Sequence, residues 1–274
     1  KATCISLDQG RTASELWDSP KLLLTQMCGL ALHDRVLKQQ PSPPSTVCLG
    51  VPIYSALGCS PGTYKAWVVV RTADACDGTY TRLSDLAGAR VAVNHLDSYS
   101  GAVGLQAAIA MLEQAAKPPV LFFHPHAVLT GSHRASLAAL RAGQADVASI
   151  DCITWALLER ESPHELEPLR IIGATPSAPA PPIVTTAEVA ASGTGDALRA
   201  ALRITFGDGG ASPTADAAAL QAARSRLFID GIRVDAAVTA PSSAFGSLRR
   251  LASRIQLSVA PAPPLAPSSE RFWG

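Results

Sequence analysis

Short apolar runs and Ala/Leu-rich segments follow one another along most of the chain, and this order predicts an α/β fold. An apolar run closed by proline or polar residues is typical of a strand buried in a sheet. Such runs occur at 46–53, 66–71, 90–94, 120–123 and 146–150. Segments with helical spacing lie between them, at 101–116, 134–141 and 153–160. Strands that alternate with helices favour a largely parallel sheet covered by helices.

Polar residues follow two of these predicted strands, where each strand gives way to a helix. Ser132 and His133 come after the run at 120–123, and Asp151 comes directly after the run at 146–150. The carboxyl ends of parallel strands meet at one edge of a sheet, and ligands of open α/β sheets bind there. We therefore expect these three side chains to share that edge.

Two segments at predicted helix starts have the composition of anion sites. They are Asp-Ser-Tyr-Ser-Gly at 97–101 and Gly-Ser-His at 131–133. A helix start presents unpaired backbone N–H groups and about half a positive charge, and nearby hydroxyl groups can donate to an oxyanion. Plain helix capping by Ser98 and Ser132 explains the same residues equally well. Neither segment contains the Gly-Lys-Ser/Thr of a P-loop.

His133 and Asp151 each have two interpretations from sequence. His133 either donates to the same anion or is a surface residue with partners of its own. Asp151 either caps the helix at 153–160 or takes part in ligand selection. A carboxylate repels a bound anion unless the ligand carries a proton, which the carboxylate then accepts in a hydrogen bond. Such a site would reject a fully deprotonated oxyanion.

Composition narrows the class of protein. The chain has 274 residues, of which 47% are apolar and 16% charged, which is typical of a globular protein long enough for two α/β lobes. A net charge of +1 without a dense Lys/Arg cluster argues against nucleic-acid binding. The apolar runs are too short to span a bilayer. The opening Lys-Ala-Thr-Cys lacks the pattern of a signal peptide, so we expect a mature, truncated or cytosolic form.

Catalytic and metal sites receive little support from the sequence. Ser132 and His133 are adjacent, so their side chains diverge instead of pairing as nucleophile and base. Cys152 could pair with His133, but its neighbours are apolar. His124 and His126 alternate on one predicted strand face, and two ligands alone are a weak metal signal. We predict no enzyme, no catalytic residue, no cofactor and no metal.

The six cysteines are too widely spread for a zinc site and too few for a disulfide scaffold. We expect most of them to be small buried residues. In an oxidising compartment, Cys59 and Cys76 could pair across the hairpin at the entry to the hinge, although the sequence does not fix the connectivity.

Four motifs together resemble the phosphate, phosphite and phosphonate substrate-binding proteins of ABC transporters, the PhnD-like family. They are G-T-Y-K-A-W-V-V-V-R at 62–71, D-S-Y-S-G at 97–101, G-S-H-R-A-S-L-A-A-L at 131–140 and A-D-V-A-S-I-D at 145–151. The resemblance runs from about residue 16 to residue 185. It implies a type II periplasmic-binding-protein fold, in which two α/β lobes joined by two crossovers close on the ligand.

The resemblance places the crossovers near 71–75 and 175–181. Lobe 1 would then comprise 1–73 with 177–260, lobe 2 would comprise 74–176, and 261–274 would be a loosely held tail.

The resemblance also implies a set of ligand-binding residues. Those carried over from its motifs are Tyr64, Ser98, Tyr99, Ser100, Gly101, Ser132, His133 and Asp151. Tyr54 is added from its place after a predicted strand, and not from a motif.

Three departures from the family pattern bear on the ligand. The chain starts at about the family's second strand, so its first strand and helix are missing, and a first-lobe tyrosine is replaced by a residue near Gln9. Binders of aminoalkylphosphonates hold the ligand amine with a Glu and an Asp. At about those positions this chain has Ile153 and Pro181, which favours an inorganic oxyanion or a phosphonate without an amine.

The expected function is capture of phosphate, phosphite or a small phosphonate in a cleft between the lobes, for uptake by an ABC transporter permease. We expect a monomer in the periplasm or at the outer side of a membrane, with no nucleic-acid partner. A sensory domain of the same fold that is not coupled to transport is the main alternative, and an enzyme on this fold is the weaker one. Fusion to a kinase would favour sensing, and turnover of a phosphate ester would favour the enzyme.

Overall fold

The computed structural model describes residues 13–37, 45–112, 121–125, 127–206, 217–234, 243–257 and 259–260. Within these residues the strands are β1 (Thr25–Gln26), β2 (Thr46–Tyr54), β3 (Thr63–Tyr64), β4 (Ala66–Arg71), β5 (Val91–Val93), β6 (Ala127–Leu129), β7 (Val147–Asp151), β8 (Leu169–Ala174), β9 (Ala178–Pro179), β10 (Ile183–Thr186), β11 (Ile229–Arg233) and β12 (Val259–Ala260).

The helices of the same residues alternate with these strands, as the sequence predicts. They are α1 (Ala13–Trp17), α2 (Gly29–Leu37), α3 (Thr72–Cys76), α4 (Gly104–Leu112), α5 (His133–Arg141), α6 (Cys152–Glu161), α7 (Ala187–Ala190), α8 (Gly193–Phe206), α9 (Ala217–Arg226) and α10 (Ser243–Ala252). Single 3₁₀ turns lie at Leu83–Leu86 and Pro163–Glu165, and a π-helical turn at Tyr99–Val103 leads into α4.

Two sheets divide the strands between two lobes. The first sheet has the order β1-β10-β2-β11, and its neighbouring strands are antiparallel. The second has the order β12-β6-β5-β7-β4-β8, in which β12, β6, β5 and β7 run parallel and β4 is antiparallel to β7 and β8. A short ladder of β3 with β9 pairs the two segments that pass between the sheets. The predicted α/β architecture of two lobes joined by crossovers is thus confirmed.

The first crossover lies earlier in the chain than the sequence predicted. The expected crossover at 71–75 left β4 in lobe 1, but β4 pairs with β7 and β8 in the second sheet. The chain therefore crosses between Tyr54, the last residue of β2, and Ala66, the first of β4. The valines of β4 are fully buried, because this strand is covered on both faces. A run of buried valines predicts a central strand but does not indicate the sheet to which the strand belongs. The lobe boundary predicted at residue 73 is therefore corrected to lie between β2 and β4. The second crossover, between β8 and β10, falls at 175–182 as expected.

The C-terminal part of the described chain returns to the second lobe. β12 pairs with β6, and α10 packs against α4, whereas β11 pairs with β2 in the first sheet. The assignment of 177–260 to lobe 1 is therefore corrected for β12, and the chain passes between the sheets again after β11. α10 contacts both lobes, because its Arg249 also forms an ion pair with Asp34 of α2 at 2.8 Å. Residues 261–274, the predicted tail, lie outside the described residues.

The strand predicted at 120–123 is also displaced. The structure places β6 at Ala127–Leu129, and the described residues 121–123 belong to no strand. Phe122 and Phe123 are buried in the core of the second lobe, with their ring centroids 5.1 Å apart. The apolar run therefore fills the core from a loop, and its burial produced the same sequence pattern as a buried strand.

The core of the second lobe holds its parallel strands rigidly in place. β5 and β7 are buried along their whole length, and Leu105 and Ile109 of α4 pack against them without exposed surface. This packing fixes where the carboxyl ends of β5, β6 and β7 lie. Among the described residues, no helix combines the length and the apolar character needed to cross a bilayer.

Candidate functional site

The ends of three parallel strands bring the predicted residues together. β5 leads through Asn94 into the turn at Tyr99–Val103, β6 leads into α5, and β7 ends at Asp151 and leads into α6. The prediction that Ser132, His133 and Asp151 share the carboxyl edge of one parallel sheet is therefore confirmed.

The first predicted cradle is a wide turn that depends on glycine. The Ser98 hydroxyl oxygen accepts a hydrogen bond from the Gly101 N–H at 3.1 Å, and the Ser98 carbonyl accepts from both Ala102 and Val103. A Cβ at position 101 would lie 1.5 Å from Oδ1 of Asn94. The turn therefore closes over Asn94 only because residue 101 has no side chain.

Ser100 and His133 are joined directly, although they come from different elements. The Ser100 Oγ lies 2.9 Å from Nε2 of His133, and Nδ2 of Asn94 lies 3.5 Å from the same nitrogen. The Ser149 hydroxyl, from within β7, donates to the carbonyl of Ser100 at 2.5 Å. We call Asn94, Ser100 and His133 the polar cluster.

His133 is an uncharged member of this cluster. Burial lowers its pKa to about 4, and the nearby Ser149 backbone opposes this effect only in part. Its Nδ1 is buried and has no partner with hydrogen-bond geometry. A neutral imidazole has one donor and one acceptor nitrogen, so His133 can still make a hydrogen bond to a ligand.

The second predicted cradle begins with a helix cap. The Ser132 hydroxyl oxygen accepts a hydrogen bond from the Ala135 N–H at 3.1 Å. Ser98 and Ser132 are therefore both N-caps, as the simpler interpretation required. An accepting hydroxyl keeps its own hydrogen, so capping leaves each of them a donor for an anion.

Asp151 combines a cap with a buried carboxylate. Its Oδ1 accepts from the N–H groups of Ile153 at 2.7 Å and Thr154 at 2.9 Å. Burial raises the pKa of Asp151 to about 6, although these hydrogen bonds act to lower it. Burial, with a smaller contribution from the Asp151 charge, raises the pKa values of Tyr54 and Tyr64.

The predicted tyrosines come from different parts of the fold and belong to one apolar cluster. The ring of Tyr64, in β3, packs 5.8 Å from the ring of Tyr99. The Tyr99 hydroxyl donates to the carbonyl of Pro176 in the second crossover. Tyr54, at the end of β2, accepts a hydrogen bond from Nε2 of Gln26 at 2.7 Å, and burial raises its pKa to about 12.

Three contributing residues were missed from sequence. Asn94 is the first residue after the buried strand β5, the same kind of position that singled out Asp151. Ser149 is a polar residue inside an otherwise apolar strand, which is itself a signal for a buried hydrogen bond. Gln26 gave no signal, because its contact with Tyr54 joins two distant strands.

The arrangement lacks the features of a catalytic or metal centre. Ser100 and His133 have the spacing of a nucleophile and base, but no carboxylate orients the free Nδ1 of His133. Within the described ranges, no group of three or more His, Cys, Asp or Glu side chains could hold a metal. The predicted weak pair of His124 and His126 is untested, since His126 lies outside the described residues.

The predicted Cys59–Cys76 disulfide is wrong. β4 separates the first crossover from α3, and a strand of this length spans about 20 Å. Cys76 is exposed at the end of α3, whereas the thiol of Cys59 faces Cys152.

A family model described as an ABC transporter, phosphonate, periplasmic substrate-binding protein matches residues 53–230, which is more than half of the chain. No curated protein sequence matches significantly.

Solved structures also resemble the chain. A binding-protein component of an ABC phosphonate transporter from Pseudomonas aeruginosa has 16% identity and a TM-score of 0.58, over 83% of this chain and 67% of that chain. PhnD1 from Prochlorococcus marinus, in complex with methylphosphonate, has 15% identity and a TM-score of 0.58, over 83% and 76% of the two chains. A Xanthomonas citri protein bound to ATP has 19% identity and a TM-score of 0.56, over 88% and 81%. At these identities the likeness shows the fold, that of the type II periplasmic binding proteins.

Proposed function

Because the chain belongs to the family of periplasmic substrate-binding proteins of phosphonate ABC transporters, we propose that it captures a phosphorus oxyanion between its lobes and delivers it to a permease. The ligand class is phosphate, phosphite or a small phosphonate without an amine. The protein acts as a monomer outside the cytoplasmic membrane and performs no chemistry on its ligand, in line with the family.

The observation that carries this proposal is the convergence of neutral donors on the ends of three parallel strands. Ser100, His133 and Asn94 meet within hydrogen-bonding distance, beside the N-termini of the turn at Tyr99–Val103 and of α5. Hydroxyl, amide and imidazole donors with helix N-termini can bind an anion without a basic side chain. Such short-range bonds are screened only modestly by salt when the site is closed.

Asp151 supports a ligand that carries a proton. An acceptor-only carboxylate gains a hydrogen bond from a P–OH group and meets unrelieved repulsion from a bare oxyanion. Sulfate has no proton at neutral pH, whereas phosphate, phosphite and alkylphosphonates can each carry one. The proposed site therefore prefers phosphorus oxyanions to sulfate.

The surroundings also favour a ligand without an amine. Ile153 lies in the apolar cluster around Tyr54 and Tyr64, and the carbonyl of Pro181 accepts a hydrogen bond from Gln26. Neither position supplies a carboxylate to an ammonium group. An aminoalkylphosphonate would bury its charged amine there without a partner, which is costly.

Access to the site requires the lobes to separate. Tyr54 comes from the first lobe and Tyr64 from the first crossover, and both are buried together with Ser98, Tyr99 and Ser100 of the second lobe. A ligand reaches these groups only when the surfaces move apart, and closure then removes water from the hydrogen bonds.

The first test is calorimetry on Ser100→Ala with phosphate, phosphite, methylphosphonate and 2-aminoethylphosphonate. Loss of this hydroxyl should weaken the ligand that the wild type binds by about 1–3 kcal/mol, because it removes a hydrogen bond to a charged group. Ser84→Ala, at an exposed hydroxyl in the turn Leu83–Leu86, should leave the affinity unchanged. Unchanged affinity of Ser100→Ala for every bound oxyanion would refute the site.

A second test asks whether Asp151 selects the ligand. In a competition titration, the preference for the phosphorus ligand over sulfate should be smaller in Asp151→Asn than in the wild type, because an amide can donate to a bare oxygen. The wild type should bind more weakly as rising pH removes the ligand's last proton. Asn caps a helix as well as Asp does, so the cap is retained in this variant. Equal discrimination by both proteins across pH would show that Asp151 is only a cap.

A further inference from the structure

Two thiols face each other beside the candidate site. The Sγ atoms of Cys59 and Cys152 are 3.5 Å apart, although 93 residues separate them along the chain. Both residues belong to the cluster that contains Tyr54 and Tyr64. Cys152 has no exposed surface, whereas Cys59 is partly exposed. Of the two residues, Cys59 is therefore the one that an oxidant from outside can approach.

The pair connects two segments with different roles. Cys59 lies in the first crossover, just before a turn in which Ser60 and Thr63 exchange backbone hydrogen bonds of 3.0 and 2.9 Å. Cys152 is the first residue of α6, and its N–H donates to the carbonyl of Lys65 at 3.1 Å. The residue before it is Asp151. A covalent link between the sulfurs would tie the segment that joins the lobes to the helix start that holds the ligand-selecting carboxylate.

We propose that Cys59 and Cys152 form a reversible disulfide that fastens the first crossover to the start of α6. A disulfide bond is about 2.04 Å long, so the two sulfurs must approach by about 1.5 Å, which small side-chain rotations can supply. Of the other described cysteines, Cys76 is exposed at the end of α3, and Cys28 has its sulfur among backbone groups at the start of α2.

The bond forms by thiol–disulfide exchange with an external disulfide such as oxidised glutathione. The accessible Cys59 thiolate attacks the oxidant, releases one small thiolate and becomes a mixed disulfide. Cys152 then attacks Sγ of Cys59 and expels the second small thiolate. In total, the two protein thiols lose two protons and two electrons, and the oxidant is reduced to two thiols.

Burial, and not the pKa shifts, sets the order of these steps. The hydrogen bond between the two sulfurs lowers the pKa of Cys152 and raises the pKa of Cys59, so the resting thiolate of the pair is on Cys152. Because Cys152 has no exposed surface, the first attack on an external oxidant requires the proton between the sulfurs to shift from Cys59 to Cys152. In the mixed disulfide Cys59 has no S–H left, and the N-terminus of α6 then favours a thiolate on Cys152 for the second, intramolecular attack.

The linkage itself can be mapped on the full chain. Protein equilibrated with mixtures of reduced and oxidised glutathione is quenched with acid, alkylated in denaturant, digested and examined by mass spectrometry. We expect a linked pair of peptides that contain Cys59 and Cys152, while Cys76 is alkylated. Cys59→Ser should abolish the linked pair, and Cys76→Ser should retain it. Recovery of both Cys59 and Cys152 as alkylated thiols in the most oxidising mixture would overturn the proposal.

The melting temperature tests separately whether the disulfide stabilises the fold. The oxidised wild type should melt on the order of 5 °C above the reduced wild type, since a disulfide restricts the unfolded chain. Cys59→Ser should melt at one temperature in both mixtures. Equal melting temperatures for linked and unlinked wild type would overturn the fastening. Neither experiment uses a ligand, and the oxidant is supplied, so the outcomes are independent of the proposed oxyanion function.

Discussion

Strand β7 has a carboxylate at each end, and the two carboxylates have opposite surroundings. Asp146 directly precedes the strand and Asp151 ends it, and each is 9% exposed. Asp146 accepts hydrogen bonds from Arg90 at 2.6 and 2.9 Å and from Arg71 at 3.2 Å. Burial alone would raise the pKa of Asp146, but these guanidinium groups bring it below its ordinary value.

Asp151 is equally buried, and the backbone N–H groups of Ile153 and Thr154 donate hydrogen bonds to it. Its pKa is raised to about 6, chiefly by burial. Asp146 therefore stabilises the fold when ionised, and ionised Asp151 destabilises it. A buried charge that destabilises the fold is typical of functional sites, and this is consistent with the proposed role of Asp151 in recognising a protonated ligand.

The largest effect should follow from Asp146→Asn. This change leaves Arg71 and Arg90 without their shared carboxylate, and we expect the free energy of unfolding to fall by about 2–3 kcal/mol. This loss is smaller than that expected for a fully buried ion pair, because both guanidinium groups remain partly in water. Because the folded pKa is lowered, the contribution is present above the unfolded pKa and lost as pH falls through the folded value. Urea denaturation at pH 7 measures the loss.

Asp196→Asn is the matched control, since Asp196 pairs with Arg199 at an exposed position. It should leave the free energy of unfolding nearly unchanged. A loss for Asp146→Asn no larger than that of the control would remove the contrast between the ends of β7.

Asp151→Asn should have the opposite sign. The folded pKa of about 6 exceeds the ordinary value of 3.8, so ionisation of Asp151 costs stability above pH 6, and this cost is relieved as pH falls towards 4. Without ligand, the variant should be about 1–2 kcal/mol more stable than the wild type at pH 8 and equal to it near pH 4. Denaturation curves at both pH values decide this, and destabilisation at pH 8 would contradict a raised pKa.

The smallest effect should be a change in the pH dependence of the free energy of unfolding in His133→Gln. The pKa of His133 is lowered to about 4, so its contribution is complete above the unfolded value of 6.5 and is lost as pH falls towards 4. This slope opposes that of Asp151 over nearly the same range. The wild type should therefore be almost flat between pH 4 and 6, whereas His133→Gln should gain stability by up to about 1–2 kcal/mol as pH falls. Parallel profiles for wild type and variant would contradict a depressed pKa.

Local patterns predicted the elements well, but they did not predict which strands pair. The bounds of β4 agree with the sequence, because its continuous apolar run is distinctive, yet its sheet was wrong. A run buried on both faces reports burial and carries no information about neighbours. Phe122 and Phe123 led to a different error. They were predicted to lie in a strand, but they fill the core from a loop.

In the candidate site, too, local patterns predicted some residues but not the contacts between distant ones. Ser132, His133 and Asp151 were predictable, since each follows a strand at the edge where ligands bind. The contact between Ser100 and His133 spans 33 residues and depends on how β5 and β6 pair, which no local pattern specifies. Cys59 and Cys152 were likewise unpredictable as neighbours, because the crossover had been placed after β4.

The third passage of the chain between the lobes has a mechanical consequence. Two connections define one axis of rotation. The lobes could turn about this axis until their surfaces collide or the two connecting segments are strained. A third connection joins the end of β11, in the first sheet, to the start of α10, which contacts β9. Residues 234 to 243 are nine peptide units, which reach at most about 30 Å when fully extended. The length of this tether limits how far the end of β11 and the start of α10 can separate when the cleft opens.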